Sequence, residues 1–349
     1  MATARPAFQI GDKSISPGTR NTVNLPLPGL YTNDPVSMPA YVLHGRHDGP
    51  VIFVSAAVHG DEINGVEIIR RVLRVPQMRR LRGTLMAVPI VNVFGFHNRS
   101  RYLPDRRDLN RSFPGNESGS MAGRLGHVFM SEIVSRADFG IDLHTAAIHR
   151  DNLPQVRADI NDPILEPLAK AFSAPVLLHS APPSGSLRYA AAEIGVPVMV
   201  YEAGEALRFE ELSIQIGLRG ILNVLRQLSM LPETKRRPSR PSAVLRSSSW
   251  QRAPQSGILR AQAKLGALVA KGETLGVVAD PTGESEMPLT APYDGVVIGR
   301  TNLPLVFEGE ALFHVGRTRQ TSLLEEHLDA LHEGTGISPP ELVEEPPIV

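Results

Sequence analysis

The sequence contains no cysteine. That excludes disulfides, iron–sulfur clusters, thiolate zinc sites and a cysteine nucleophile, so any metal must be held by His, Asp and Glu. Neither charge is in excess: Lys plus Arg and Asp plus Glu stand at 36 each. Such a balance offers neither a nucleic-acid surface nor a polybasic membrane patch, so no nucleic acid or membrane is expected as a partner. Long hydrophobic runs are missing too. The longest, such as residues 51–58 and 196–200, are far too short to span a bilayer. Residues 1–16 are polar and lack the apolar core of a secretory signal. A cytoplasmic protein is the expectation, and the lack of cysteine fits it.

What is present is an ordinary globular composition, 42% hydrophobic and 21% charged over 349 residues, long enough for two domains. Residues 1–49 carry Pro, Gly and Thr between short extended pieces, with 39–43 as one strand, and are expected to pack on the domains after them. From Pro50 the pattern changes. Apolar runs at 51–58, 85–93, 139–143, 175–178 and 196–201 read as strands. Helical spacing appears at 63–73, 123–134, 164–172, 187–194 and 209–230. This alternation predicts an α/β domain over 50–231, with a mostly parallel sheet and flanking helices. Residues 232–249, with three prolines, the basic cluster Lys235, Arg236 and Arg237 and a serine run, read as a linker. Residues 250–316 read as a small all-β domain punctuated by glycine, in which 265–273 and 305–310 echo each other. The tail, 317–349, shows one short helical pattern near 322–331 and ends in an acidic, proline-containing run expected to be partly disordered.

Four constellations carry chemistry. His59-Gly60-Asp61-Glu62 follows the first buried strand, and a strand-to-helix turn can aim an imidazole and a carboxylate at one point of the crevice. Alone it would read as a surface turn with Asp61 as a cap. Asp142-Leu143-His144 ends another strand that opens on the same edge. His59, Glu62 and His144 would make a His₂Glu set with an open fourth position, the arrangement of catalytic zinc hydrolases, with Asp142 orienting a ligand from behind. The loop 101–115 is polar and prolyl. Fixed, always-charged arginines with an asparagine can clamp a carboxylate and polarise a carbonyl, and Arg101, Asn110 and Arg111 are the candidates. Arg106 and Arg107 read as solvated charges. Finally, Glu202 ends a strand in Tyr201-Glu202-Ala203-Gly204, where a carboxylate can take a proton from a metal-activated water. Glu205 reads as solvated.

Together these residues resemble the succinylglutamate desuccinylase/aspartoacylase family, a branch of the zinc carboxypeptidase-like fold. The resemblance covers about residues 50–230, and H-G-D-E and D-L-N-R-x-F-P-G are its most specific motifs. It implies one zinc ion per chain on His59, Glu62 and His144, with Arg101 polarising the scissile carbonyl and Asn110 and Arg111 holding a substrate carboxylate. It also implies Glu202 as the general base that later returns the proton to the leaving amine. The substrate implied is a small N-acylated amino acid or diamine, with an ester as a variant.

The C-terminal β segment resembles the lipoyl/biotinyl-like barrel appended to many family members, with Ala291-Pro292-Tyr293-Asp294-Gly295 matching its A-P-x-x-G strand start. A true carrier has a lysine seven residues before that alanine. Here the position is Glu284, and no lysine occurs after Lys271. The segment is therefore expected to act as a lid, a spacer or a homo-oligomer contact rather than as a carrier. Two other readings share the core: a zinc carboxypeptidase, which an appended barrel covering the pocket disfavours, and a non-catalytic binder of an anionic ligand, which would be supported by loss of a ligand or of the base.

Overall fold

The apolar runs of the sequence become the middle of a sheet. The computed structural model describes residues 5–233 and 240–318, together with Leu324 and Glu326. A hairpin of β1 (Phe8–Ile10) and β2 (Lys13–Ile15) precedes two long antiparallel strands, β3 (Thr19–Leu27) and β4 (Val36–His44). Then come β5 (His47–Ala56), α1 (Asn64–Arg74), β6 (Arg82–Val88), α2 (Val93–His97), α3 (Met121–Glu132), β7 (Phe139–Ala146) and β8 (Arg150–Ala158). The domain closes with α4 (Leu165–Phe172), β9 (Val176–His179), α5 (Leu187–Glu193), β10 (Val198–Glu205) and α6 (Glu211–Gln227).

The central four strands, in order β6-β5-β7-β10, are parallel. They are apolar on both faces because both faces are covered. Ile52, Val54, Ile141 and Leu143 pack towards α1, α4 and α6, where Ile68, Phe172 and Ile214 meet them. Phe53 and Val198 pack the other way, with Phe129 of α3, Leu187 of α5 and Ile10 of the hairpin. Within residues 50–231 the pairing is mostly parallel, since β9 also runs parallel to β8, but the sheet as a whole is mixed. β8 runs antiparallel to β10, and β4 runs antiparallel to both β6 and β3. The cause for β8 is the connection: only residues 147–149 separate it from β7, and a crossover to a parallel strand takes a dozen residues or more.

The strands after the α/β domain are β11 (Ala243–Leu245), β12 (Ser248–Arg252), β13 (Gly257–Ala261), β14 (Leu268–Val269), β15 (Thr274–Ala279), β16 (Glu286–Thr290), β17 (Gly295–Thr301), β18 (Leu305–Val306) and β19 (Ala311–Arg317). One sheet has the order β16-β15-β13-β18, while β12, β19, β17 and β14 pair in a second. Between them lies a core that includes Leu259, Val278, Leu312 and Phe313. The echoed segments take matching places, since each supplies a two-residue strand, β14 or β18, and then a left-handed glycine, Gly272 or Gly309.

Two expectations change. The stretch read as linker is strand at its end, because β11 pairs parallel with β9 and β12 pairs antiparallel with β19. The all-β segment is also joined to the α/β sheet, because β17 pairs antiparallel with β8. The basic cluster at 235–237 lies outside the described residues, as do the tail helix near 322–331 and the acidic run, apart from Leu324 and Glu326.

Candidate active site

The site is built at the carboxyl edge of the parallel strands. Ser55, Asp142 and His144 project to one face of β5 and β7, the side that faces α3 and α5. Ser55 donates to Asp142 Oδ1 at 2.7 Å, and Asp142 Oδ2 lies 2.7 Å from His144 Nε2. That leaves His144 Nδ1 facing outward, 2.7 Å from Glu62 Oε2. His59 Nδ1 lies 2.7 Å from the other oxygen, Glu62 Oε1, while its Nε2 is 3.2 Å from Asp108 Oδ1. His59, Glu62 and His144 are all buried, with one ligand atom from each within 4.8 Å of the others. Their turn is a buried one. Gly60 presses on α2, where a Cβ would sit 2.0 Å from the carbonyl carbon of Gly95. Asp61 does not cap α1, whose N-cap is Ile63 without a side-chain bond. Asn64 ties the turn to the end of β10, donating to the Ala203 carbonyl and accepting from Glu210 N.

Electrostatics follow from this interlock. Burial opposes charge on His59 and His144, but the surrounding carboxylates outweigh it, and both pKa values are raised. Burial likewise opposes charge on Glu62, and the two imidazoles overcome it, so its carboxyl is held well below the usual range. Two nitrogens and one carboxylate oxygen, with no thiolate, fit a zinc ion, and each imidazole has a carboxylate behind its other nitrogen, as zinc-binding histidines do.

The structure brings Arg101 to this cluster. Its guanidinium donates to Glu62 Oε1 at 3.2 Å and to Asp108 Oδ2 at 3.1 Å. Asp108 also accepts from Asn110 N at 2.8 Å, closing the 3₁₀ turn at Leu109–Arg111. Asn110 Oδ1 accepts from Leu187 N at the start of α5. Arg111 is exposed, and its guanidinium donates to the neighbouring Asn110 carbonyl. Glu202 sits beside His144 in the parallel register of β10 and β7. Its carboxylate is bound by Asn152 Nδ2 at 2.7 Å and by Arg157 at 2.9 Å. Glu205 is held rather than solvated, accepting from His149 N and from Asn302.

Sequence reasoning missed Asp108, Asn152, Arg157 and Arg188. Asp108 had a signal, since it opens the D-L-N-R motif. The other three had none. Asn152 and Arg157 lie on a strand interrupted by Pro154, and Arg188 lies on α5, where it donates to Ser180. Burial, and after it the nearby Arg157 charge, pulls the Arg188 pKa down to about 10.

A large mixed sheet with this edge has the zinc carboxypeptidase-like fold of hydrolases. The chain belongs to the succinylglutamate desuccinylase/aspartoacylase family, whose catalytic-domain model matches residues 48–228. It is 26% identical over 268 residues to N-alpha-acetyl-L-2,4-diaminobutyric acid deacetylase of Halomonas elongata, covering 73% of this chain and 78% of that one. A product-bound structure of the ectoine utilization protein EutE from Ruegeria pomeroyi superposes with a TM-score of 0.78 at 25% identity, covering 90% of this chain and 99% of that one. A succinylglutamate desuccinylase/aspartoacylase from Rhodobacter sphaeroides gives 0.77 at 26% identity, covering 86% and 96%. The chain is accordingly a hydrolase of amide bonds.

Proposed function

We propose that the chain is a zinc-dependent deacylase that frees the amine of a small N-acylated amino acid or diamino acid. The observation that carries this reading is the convergence of His59, Glu62 and His144 within 4.8 Å, with Arg101 bonded to the same Glu62. His59, Glu62 and His144 would hold a zinc ion, which would supply a Lewis acid and ease deprotonation of the attacking water. Glu202, one strand away from His144, accepts the proton of the attacking water and delivers it to the leaving nitrogen. Arg101 polarises the scissile carbonyl, and Asn110 with Arg111 receives the substrate's carboxylate. The relative from Halomonas supports an N-acetylated diamino acid as the first substrate to try. We place the enzyme in the cytoplasm. No described helix is long and apolar enough to cross a membrane.

The test is a panel of N-acetyl and N-succinyl amino acids and N-acetyl diamino acids, with amine release and zinc content measured in parallel. Chelator-sensitive release from one acyl class is expected. Hydrolysis that survives complete removal of metal would overturn the reading.

A further inference from the structure

The carboxylate of Glu202 is held from one strand, β8, by two side chains that a regular strand would not present together. Asn152 and Arg157 are five residues apart and would point to opposite faces. Between the pairs Glu202↔Gln155 and Gly204↔Asn152, however, β8 has one residue more than β10. That bulge resets the alternation, and Asn152 Nδ2 reaches Oε2 of Glu202 while Arg157 reaches Oε1. The two holders are not equal. Nε of Arg157 is buried without a hydrogen-bond partner, whereas Asn152 is only 5% exposed and wedged.

What wedges Asn152 comes from the C-terminal β segment. On its other side β8 pairs with β17, and the residue across from Asn152 is Gly299. The backbone at Gly299 is not in the left-handed region that favours glycine, so conformation does not require glycine there. Space does. A Cβ at this position would lie 2.8 Å from Asn152 Oδ1 and 3.3 Å from Cβ of His314. The group that would have to move is the flexible end of Asn152, the same amide that donates to Glu202.

We propose that Gly299 is a positioning residue for Glu202, acting through the Asn152 amide, and that the C-terminal β segment thereby forms part of the catalytic apparatus. This rests on Glu202 being the general base. Other contacts cross the same joint: Asn302 donates to Glu205, Thr301 Oγ1 donates to the His149 carbonyl, and Gln155 donates to the Ile298 carbonyl. The segment therefore grips both the strand that holds the base and the loop beside it. This is a task that needs no carrier lysine.

The test is a double-mutant cycle on the zinc-loaded full chain, with Gly299→Ala, Asn152→Ala, their combination and Glu202→Gln as reference. Gly299→Ala should lower kcat roughly 10- to 100-fold, as displacements of about 1 Å do, with KM and zinc content within about twofold of native. Asn152→Ala should show the same split. Added to Asn152→Ala, the Gly299→Ala change should cost nothing further, because the amide it displaces is already gone. Losses that multiply, or native kcat in Gly299→Ala, would overturn the proposal. If Gly299→Ala alone fails to fold, comparing the double variant with Asn152→Ala decides the matter: equal kcat supports the proposal and lower kcat overturns it. Near-native turnover in Glu202→Gln would instead remove the assignment of the base itself.

Discussion

The two ends of the parallel strands treat charge in opposite ways. At the carboxyl end, Glu62, His59, His144 and Asp142 are buried, and every one has a partner within about 3 Å. At the amino end, beside the starts of β5 and β6 and the last turn of α1, a cleft of about 1210 Å³ is lined by exposed arginines. Among the described residues Arg20, Arg46, Arg74, Arg79, Arg80 and Arg82 form no ion pair with a carboxylate. Arg20 instead donates to the Leu73 carbonyl at the end of α1. None of the residues lining this cleft belongs to the His59, Glu62 and His144 cluster. A charge removed from water is costly unless paired, so a buried cluster must be interlocked, whereas solvated arginines need no partner. Sensitivity to mutation should divide in the same way.

The largest of the graded effects should come from Glu202→Gln, which should keep zinc and fold but lose turnover by roughly 10²–10⁴-fold, the range for removal of a general acid–base group. Near-normal rates would move the base elsewhere. Next is Asp108→Asn. This residue stands behind His59 and pairs with Arg101, so metal affinity or activity should fall about 10–100-fold, as for other carboxylates behind a metal-binding histidine. Unchanged zinc affinity and unchanged kcat together would mean that the Asp108 contacts serve only the loop.

The effect of Arg111→Ala should be no larger than that of Asp108→Asn, and selective. Its guanidinium is exposed, so the low end of the range for losing one member of a carboxylate pair applies, roughly 2 kcal/mol or about 30-fold in kcat/KM. That loss should appear on carboxylate-bearing substrates and not on their amide analogues; equal loss on both would make Arg111 structural. The smallest effect belongs to the arginine cleft. Arg79→Ser with Arg80→Ser should leave turnover native and change unfolding stability by no more than about 0.5 kcal/mol. A large loss of activity there would break the contrast between the two ends.

The metal-ligand candidates were legible because each comes directly after a near-continuous apolar strand, and buried parallel strands announce both themselves and the edge where they stop. Val51 to Ala56 and Phe139 to Leu143 are such runs, with His59 and His144 close behind them. The supports of the site were not legible. Asn152 and Arg157 lie on β8, whose Pro154 and polar residues blur its alternation, and their role depends on a bulge and on partners roughly fifty residues away. Linker chemistry hid β11 for a related reason: Ala243–Leu245 is only three residues long and becomes a strand by pairing with β9. Glycine punctuation marked the C-terminal strands, but nothing local showed that β17 would extend the α/β sheet.

Metal analysis of the purified chain beside His144→Ala decides whether His59, Glu62 and His144 hold one catalytic zinc ion. The expected result is about one zinc per native chain, lost together with amide hydrolysis on chelation and regained with it on zinc return, and no retained zinc in the variant. Full zinc occupancy in a folded His144→Ala chain would contradict it.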